Sequence, residues 1–300
     1  MKVDYHHPID VVDNITPEQF QKEFWLPEKP VILKDYFKRY PAFEKWNINY
    51  LKEHLGNKEV GVFNEKKSAM DRSFKSPHEK IKFAQYLDLI TTQPTDLRIF
   101  LFNPFTHKPD LRNDFDFPDL CPGFLTGRRF QFMFFGGARS VVRIHQDMDW
   151  SNVFLTQLHG RKHVVLFSPE YSTFLYRYPF NVHSSVNIEN PDFEKYPGLK
   201  FIKGSEGILE PGDTLFMPSG YWHYIKYLEG GWAINMRSLS PHLLRRFRGL
   251  YHVGLLTHID EMLRGTLGKR WFEYKEAIAH RRANQKLKIV AKQFDGDKAA

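Results

Sequence analysis

His145, Asp147 and His223 are the residues of this chain whose types and spacing could hold a catalytic metal. They fall in two strand-like segments, VVRIHQDMDW and MPSGYWHYIKYL. Residues i and i+2 of an extended strand point to the same face. The spacing therefore predicts that His145 and Asp147 aim at one point and that a distant strand brings His223 to it. Two neutral imidazoles and one carboxylate make the three-cornered set that binds non-haem Fe(II) and leaves coordination positions open. Open positions are what oxygen activation needs, whereas a closed site would be structural. The same ligands also suit Zn or Mn, so the ligand types alone leave the metal open. A His-x-Asp triplet carries little by itself in a chain with 14 histidines. His6, His7, His159, His163 and His183 are read as ordinary surface or core residues.

The neighbours add to the case. Asn152, Gln157 and Lys162 follow on the next strand-like segments, and Asn235 lies on a further one. A metal set of this kind often works with 2-oxoglutarate, whose far carboxylate would be buried. An unpaired buried charge is costly, and an inward lysine would offset that cost through a charge-assisted hydrogen bond. On position alone, however, Lys162 reads as a strand-edge residue just after the Gly160-Arg161 turn. Trp150, Tyr221 and Trp222 could line a substrate groove or simply fill the core.

The elements that must position these residues are mostly short strands. The first hundred residues read as mixed α and β. Thr16-Pro17-Glu18-Gln19 is a capped helix start. PVILKDYF, EVGVFN and RIFLF read as strands, WNINYLKEHLG as a helix ended by Gly56, and KSPHEKIKFAQYLDLITT as a helix. Residues 103–129 read as loops with short helical turns. From 130 onward, FQFMFF, SVVRIHQD, NVFLTQL, KHVVLFS, TLFMP, WHYIKYL and WAINMRS follow one another, punctuated by glycines. Glu210-Pro211-Gly212-Asp213 has Pro and Gly at the type II turn positions. Strand after strand without long intervening helices predicts a mainly β barrel or sandwich with flanking helices. No dinucleotide glycine fingerprint, P-loop or internal repeat is present.

The expected organisation is a barrel domain over 1–240, including the mixed N-terminal segment, and a helical segment over 241–300. In the latter, Leu244, Phe247 and Tyr251 share one helical face, and Trp271, Tyr274 and Ile278 another, with Gly265 and Gly268 between. Such faces must be buried against the body or a second copy, and dimerisation through 241–285 is the expectation.

HQDMDWSNVFLTQLHGRKHVVLFSPEY, SSVNIENPDFEKYP, EPGDTLFMPSGYWHYI and GGWAINMRS, in that order, together resemble the JmjC/cupin-like oxygenases, with the nearest look to their asparaginyl hydroxylases. KPVILKDYF…WNINYLKEHLG is similar to the family's leading segment, and the terminal helices to its dimerisation helices. The resemblance implies a double-stranded β-helix (jelly-roll) that uses Fe(II), 2-oxoglutarate and dioxygen to hydroxylate a substrate, with release of succinate and CO2. It implies that His145, Asp147 and His223 ligate iron and that Lys162 holds the far carboxylate of 2-oxoglutarate. Asn152 and Asn235 would be polar contacts around the metal or co-substrate. The chain departs from the pattern in three places. Val142 stands where the family usually has Thr or Ser, with Arg143 in place of the usual proline beside it. Phe100 stands where it often has Tyr, and the interval from His145 to Lys162 is longer than usual. The first and second changes remove hydroxyl partners for the same carboxylate.

Composition bounds the remaining readings. Hydrophobic residues make up 42% of 300, and aromatic residues 16%, enough for a large β-rich core. Cys121 is the one cysteine, which excludes an intrachain disulfide and fits a reducing compartment. No stretch approaches the ~20 apolar residues of a membrane span, and no signal peptide is visible at the N-terminus. A cytoplasmic protein without a membrane role is expected. The net charge of +8 is concentrated in 241–300, where 13 Lys/Arg face 6 Asp/Glu. That basic stretch is a solvated helical face or a contact for nucleic acid or an acidic partner. A protein or peptide substrate is favoured over a small molecule. Two alternatives stay open: a metal-binding cupin of another reaction type, such as an isomerase or hydrolase, and a non-catalytic protein that binds through its basic helices.

Overall fold

Short runs of β-branched and aromatic residues between glycine and proline turns form two facing sheets in the computed structural model, which describes residues 2–64, 77–127 and 130–297. The N-terminal part contributes β1 (Asp4–Pro8), β2 (Asp10–Val12), α1 (Pro17–Phe20), β3 (Val31–Leu33), α2 (Pro41–Lys45), α3 (Ile48–Leu55), β4 (Glu59–Asn64), β5 (Glu79–Lys82), α4 (Phe83–Thr92) and β6 (Leu97–Phe102). The central run is β7 (Phe132–Gly136), β8 (Val141–His145), β9 (Asn152–His159) and β10 (Lys162–Phe167). It continues with β11 (Lys203–Leu209), β12 (Thr214–Met217), β13 (Trp222–Tyr227) and β14 (Gly231–Ser238). The chain then turns helical in α5 (Leu243–Tyr251), α6 (Thr257–Leu267) and α7 (Lys269–Asp297).

One sheet has the order β1-β11-β10-β13-β8 and the other β2-β3-β12-β9-β14-β7-β6-β4-β5. Pairing is antiparallel except at β1·β11 and β2·β3. Sequence-distant strands interleave, and the mainly β jelly-roll expected from the sequence is the architecture found. Val153, Leu155, Val164, Leu166, Leu215 and Ile225 fill the space between the sheets. A second cluster packs the N-terminal helices against the nine-stranded sheet. A third packs the 174–202 segment, Ala279 and Ala283 against the outer face of the five-stranded sheet.

Local chemistry explains several boundaries. Thr16 Oγ1 accepts from Gln19 N at 3.2 Å while Gln19 Oε1 accepts from Thr16 N at 3.1 Å, the reciprocal cap that the sequence predicts. Gly212 has φ +99, and Asp213 N donates to Glu210 O at 3.0 Å, as the type II reading requires. The helix expected over KSPHEKIKFAQYLDLITT is corrected. Lys75 and Ser76 lie outside the described residues, Glu79–Lys82 is a strand paired with β4, and the helix begins at Phe83. Its buried residues Phe83, Tyr86, Leu87 and Ile90 keep helical spacing only from that point, whereas the alternating EKIK segment completes a sheet edge. The 103–127 region forms short 3-10 turns within loops, as expected, and residues 128–129 lie outside the described residues. β1 and β11 were not foreseen, because DYHHP and KGSEGIL have weak strand character; β11 forms by pairing with β10, and β1 by pairing with β11.

The terminal helices divide unequally. The buried stripe of α7 is Trp271, Lys275, Ala279 and Ala283, whereas Tyr274 is exposed. On α5, Leu244 is 78% and Phe247 64% exposed, so that apolar face has no partner in the monomer.

Candidate metal centre

β13 lies between β10 and β8, and its register places His223 directly opposite His145. The two imidazole centroids are 4.1 Å apart. Asp147 arrives by a different route from the one its spacing suggests. β8 ends at His145, so the carboxylate is not carried by two more residues of strand. The intervening Gln146 is buried and pinned on both sides. Its Nε2 donates to Gly220 O at 2.5 Å, and its backbone N donates to Val182 O at 2.9 Å. The chain then turns, with Trp150 N donating to Asp147 O at 3.4 Å and Trp150 itself at φ +51, a left-handed conformation a bulky residue holds only under tertiary constraint. One ligand atom from each of His145, Asp147 and His223 lies within 4.8 Å of the others.

The hydrogen bonds orient these side chains. His145 Nδ1 donates to Arg143 O at 2.8 Å, and His223 Nδ1 donates to Tyr221 O at 3.3 Å. Each bond fixes the tautomer and leaves Nε2 free to ligate a metal. Burial, then the neighbouring His145, pushes His223 down to about 3, so it stays neutral at physiological pH. Burial alone would raise the Asp147 carboxyl. Arg237, His223 and His145 outweigh burial and hold it below the usual carboxylate range.

Arg237 is a site residue that the sequence reading passed over. Its Nη2 lies 3.0 Å from Asp147 Oδ2, and its Nη1 donates to Asp149 Oδ1 at 2.7 Å and Ser151 Oγ at 2.9 Å. It stands two residues beyond Asn235 on β14, and that alternation was the available signal. His183 was read as an ordinary histidine, yet it forms a β-bridge with His145 and stacks against its ring at 5.6 Å. Its segment has no strand pattern and is held locally, Asn181 Oδ1 accepting from Val182 N at 2.7 Å and His183 N at 3.2 Å.

A cavity of about 100 Å³ opens beside the three ligands, lined also by Lys162, Asn235 and Arg237. Lys162 shares the inward face of β10 with Val164 and Leu166 and is 1% exposed. It is therefore not the strand-edge residue its position suggested. Its Nζ lies 4.4 Å over the Tyr227 ring, and no carboxylate pairs with it among the described residues. Burial drives its pKa down to about 7. Asn235 Oδ1 is buried without a hydrogen-bond partner among the described residues. Val142, Phe100 and Arg98 line the same cavity, so the two missing hydroxyls are missing from its wall.

Asn152 does not line the cavity. Its Nδ2 donates to Ser238 Oγ at 3.3 Å and Leu239 O at 3.2 Å, and its Oδ1 accepts from Ser219 N at 3.0 Å. It ties the end of β14 to the turn that precedes His223 rather than reaching a co-substrate. Trp150, Tyr221 and Trp222 are absent from the lining, and Trp150 and Trp222 are buried in the body.

Residues 17–236 match the family described as the cupin-like domain. Lysine-specific demethylase 8 of Danio rerio is 31% identical over 231 residues, covering 73% of this chain and 55% of that protein. Lysine-specific demethylase JMJ30 of Arabidopsis thaliana is 29% identical over 221 residues, covering 70% and 50%. The tRNA wybutosine-synthesizing protein 5 of Gallus gallus is 28% identical over 252 residues, covering 75% of each chain. The chain spans about half the length of these demethylase relatives. The family match runs from α1 through Met236 of β14 and so contains His145, Asp147, Lys162, His223 and Asn235, and on that extent the chain belongs to the cupin-like domain family.

Proposed function

We propose that this protein is an Fe(II)- and 2-oxoglutarate-dependent oxygenase that hydroxylates a side chain of a protein substrate, with release of succinate and CO2. The observation that carries the reading is Lys162, a buried lysine with no carboxylate partner among the described residues, in the same cavity as a two-histidine, one-carboxylate set. The residues present fit both groups. His145 Nε2, His223 Nε2 and a carboxylate oxygen of Asp147 would hold the metal and leave open positions. Lys162 would pair with the far carboxylate of the dicarboxylate, and the orphaned Asn235 Oδ1 would meet a donor there. With Fe(II) held there, dioxygen would be the oxidant, one of its oxygen atoms entering a substrate C–H bond and the other the succinate formed as 2-oxoglutarate loses CO2.

The chain's own part is positional. The carbonyls of Arg143 and Tyr221 hold the two imidazoles, and Arg237 keeps Asp147 ionised and aimed. Val142, Phe134, Val153, Leu155 and Ile225 keep the cavity wall apolar and exclude water. A macromolecular substrate is supported by relatives whose names specify lysine demethylation and tRNA modification. The exposed α5 face supports a homodimer. No described helix is long and apolar enough to cross a membrane, and the single, buried Cys121 supports a reducing compartment, the cytoplasm in this reading.

Incubation with Fe(II), 2-oxoglutarate, oxygen and a panel of peptides tests the proposal. Succinate should form above the level given by His145→Ala, and its absence across a broad panel would overturn the reading. Val142 and Phe100 favour one rival, a Zn or Mn cupin with a different reaction. Anaerobic 2-oxoglutarate binding that disappears in Lys162→Ala eliminates that rival.

A further inference from the structure

A second cavity, of about 70 Å³, lies between α7 and the 172–177 segment, with no lining residue in common with the metal cavity. Ser172, Thr173, Arg177, Ala279 and Arg282 line it. The lining thus brings two guanidinium groups together, and burial, then Arg282 and Arg248, presses the Arg177 pKa below its ordinary value; Arg248 itself lies 5.3 Å over the Trp150 ring. Lys286, one turn beyond Arg282, places its Nζ 4.9 Å over the Phe174 ring beside the same segment.

Among the described residues, no carboxylate lines this cleft. Neither Arg177 nor Arg282 has a side-chain hydrogen bond or ion pair among the described residues. Neighbouring acids are engaged elsewhere: Asp149 with Arg237, Glu28 with Arg245 and Glu276 with Lys195. Glu170, on the 3-10 turn that ends at Ser172, is not among the residues lining the cleft. Like charges gathered in a partly desolvated cleft are unfavourable unless an anion joins them. The Thr173 hydroxyl makes no hydrogen bond among the described residues and adds a neutral donor. Ser172 is committed, its Oγ donating to Pro169 O at 2.5 Å and accepting from Trp222 Nε1 at 3.0 Å.

We infer that the cleft formed by Arg177, Arg282 and Thr173, with Arg248 beside it, binds the phosphate group of a phosphorylated ligand. Guanidinium forks match a tetrahedral oxyanion, and a phosphate carries more charge than a carboxylate to set against these cations. This site does not depend on the oxygenase reading, and its test uses no catalytic readout.

The test is calorimetric titration of the full-length protein with inorganic phosphate at fixed ionic strength. Phosphate should bind, and Arg282→Gln should weaken it by about tenfold or more, the scale of losing one charge-assisted hydrogen bond. Arg282 is exposed, so this variant should keep its fold even if Arg177→Gln does not. Arg281→Gln, an exposed neighbour outside the cleft, should bind as the parent does. A ribonucleoside monophosphate and an oligoribonucleotide without terminal phosphates separate the sources. Competition by the first assigns the cleft to phosphomonoesters, and competition by the second assigns it to a nucleic-acid backbone. Absence of phosphate binding, or equal weakening by Arg281→Gln and Arg282→Gln, overturns the site.

Discussion

Asn181 Nδ2 donates to Asp260 Oδ2 at 3.1 Å, and through this bond the C-terminal helices reach the metal centre. Asp260 on α6 is buried and also accepts from Trp271 Nε1 at 2.8 Å and Lys275 Nζ at 2.7 Å, both on α7. On its other side, Asn181 Oδ1 holds the backbone of Val182, whose carbonyl accepts from Gln146 N, and of His183, which bridges His145. A continuous set of hydrogen bonds thus runs from α7 to the strand end that carries His145. Asp260→Asn should destabilise the protein by about 3–5 kcal/mol, because it strands the buried ammonium of Lys275. Asn181→Ala removes no charge and should cost about 1–3 kcal/mol. If the link positions His145, Asn181→Ala should also weaken metal binding by about tenfold, the range seen for groups that orient ligands. Thermal denaturation and a Co(II) titration separate the two effects. A metal affinity equal to the parent's in Asn181→Ala would confine this link to packing.

Arg237 gives a prediction with an opposite dependence on metal. Its guanidinium neutralises both Asp147 and Asp149. Arg237→Met leaves two carboxylates facing each other and should cost about 3 kcal/mol in metal-free protein, toward the lower end for a buried pair because Asp149 is partly exposed. A divalent ion on Asp147 would replace part of the lost positive charge. The difference in Tm between parent and variant should therefore shrink when Mn(II) is added. A difference that is the same with and without metal would mean that Asp147 does not bind it.

What the sequence showed of this site, and what it hid, divides along physical lines. His145 and His223 sit on strands legible in residue type, so their convergence could be inferred, whereas Lys162 read by position as a strand-edge residue and its role, like that of Asn235, followed only from the family resemblance. Asp147 was expected at the right place for the wrong reason, because its direction comes from the Gln146 clamp and the Trp150 turn rather than strand pleat. His183 and Asn181 lie in a segment without periodicity, and only tertiary hydrogen bonds fix them. Asn152 looked like a polar residue available to a ligand, but its three contacts are all with the polypeptide. β1 and β11 were invisible because pairing, not propensity, makes them strands.

The α5 face leads to a prediction about assembly. Leu244 and Phe247 are exposed on a helix whose buried residue is Gly249, and Leu250 is 71% exposed beside them. Gly249 allows close approach to the Asp149 carbonyl, so the helix is docked by its backbone while its large side chains face outward. A dimer that buries this face should dissociate in Leu244→Glu/Phe247→Glu without loss of secondary structure. Sedimentation at micromolar concentration should give a dimer for the parent and a monomer for the variant. A monomeric parent under those conditions would exclude this interface.

Lys162 makes stability depend on pH in a direction unusual for a lysine. In the unfolded chain its pKa is near the ordinary 10.5, and in the folded protein burial lowers it to about 7. Between those values the unfolded state holds a proton that the folded state has lost, so folding becomes more favourable as pH rises. The slope is at most about 1.4 kcal/mol per pH unit within pH 7–10.5, and it vanishes below and above that window. Lys162→Met should remove this slope and raise stability at pH 7, because it takes away the desolvation cost of the ammonium. A dicarboxylate seated against Lys162 favours the charged form, so its binding at pH 8–9 should take up a proton from buffer. Urea denaturation across the window, with calorimetry of 2-oxoglutarate binding in buffers of different ionisation enthalpy, measures both. Equal pH profiles for parent and Lys162→Met, together with no proton uptake, would mean that this lysine is not the group that meets the far carboxylate.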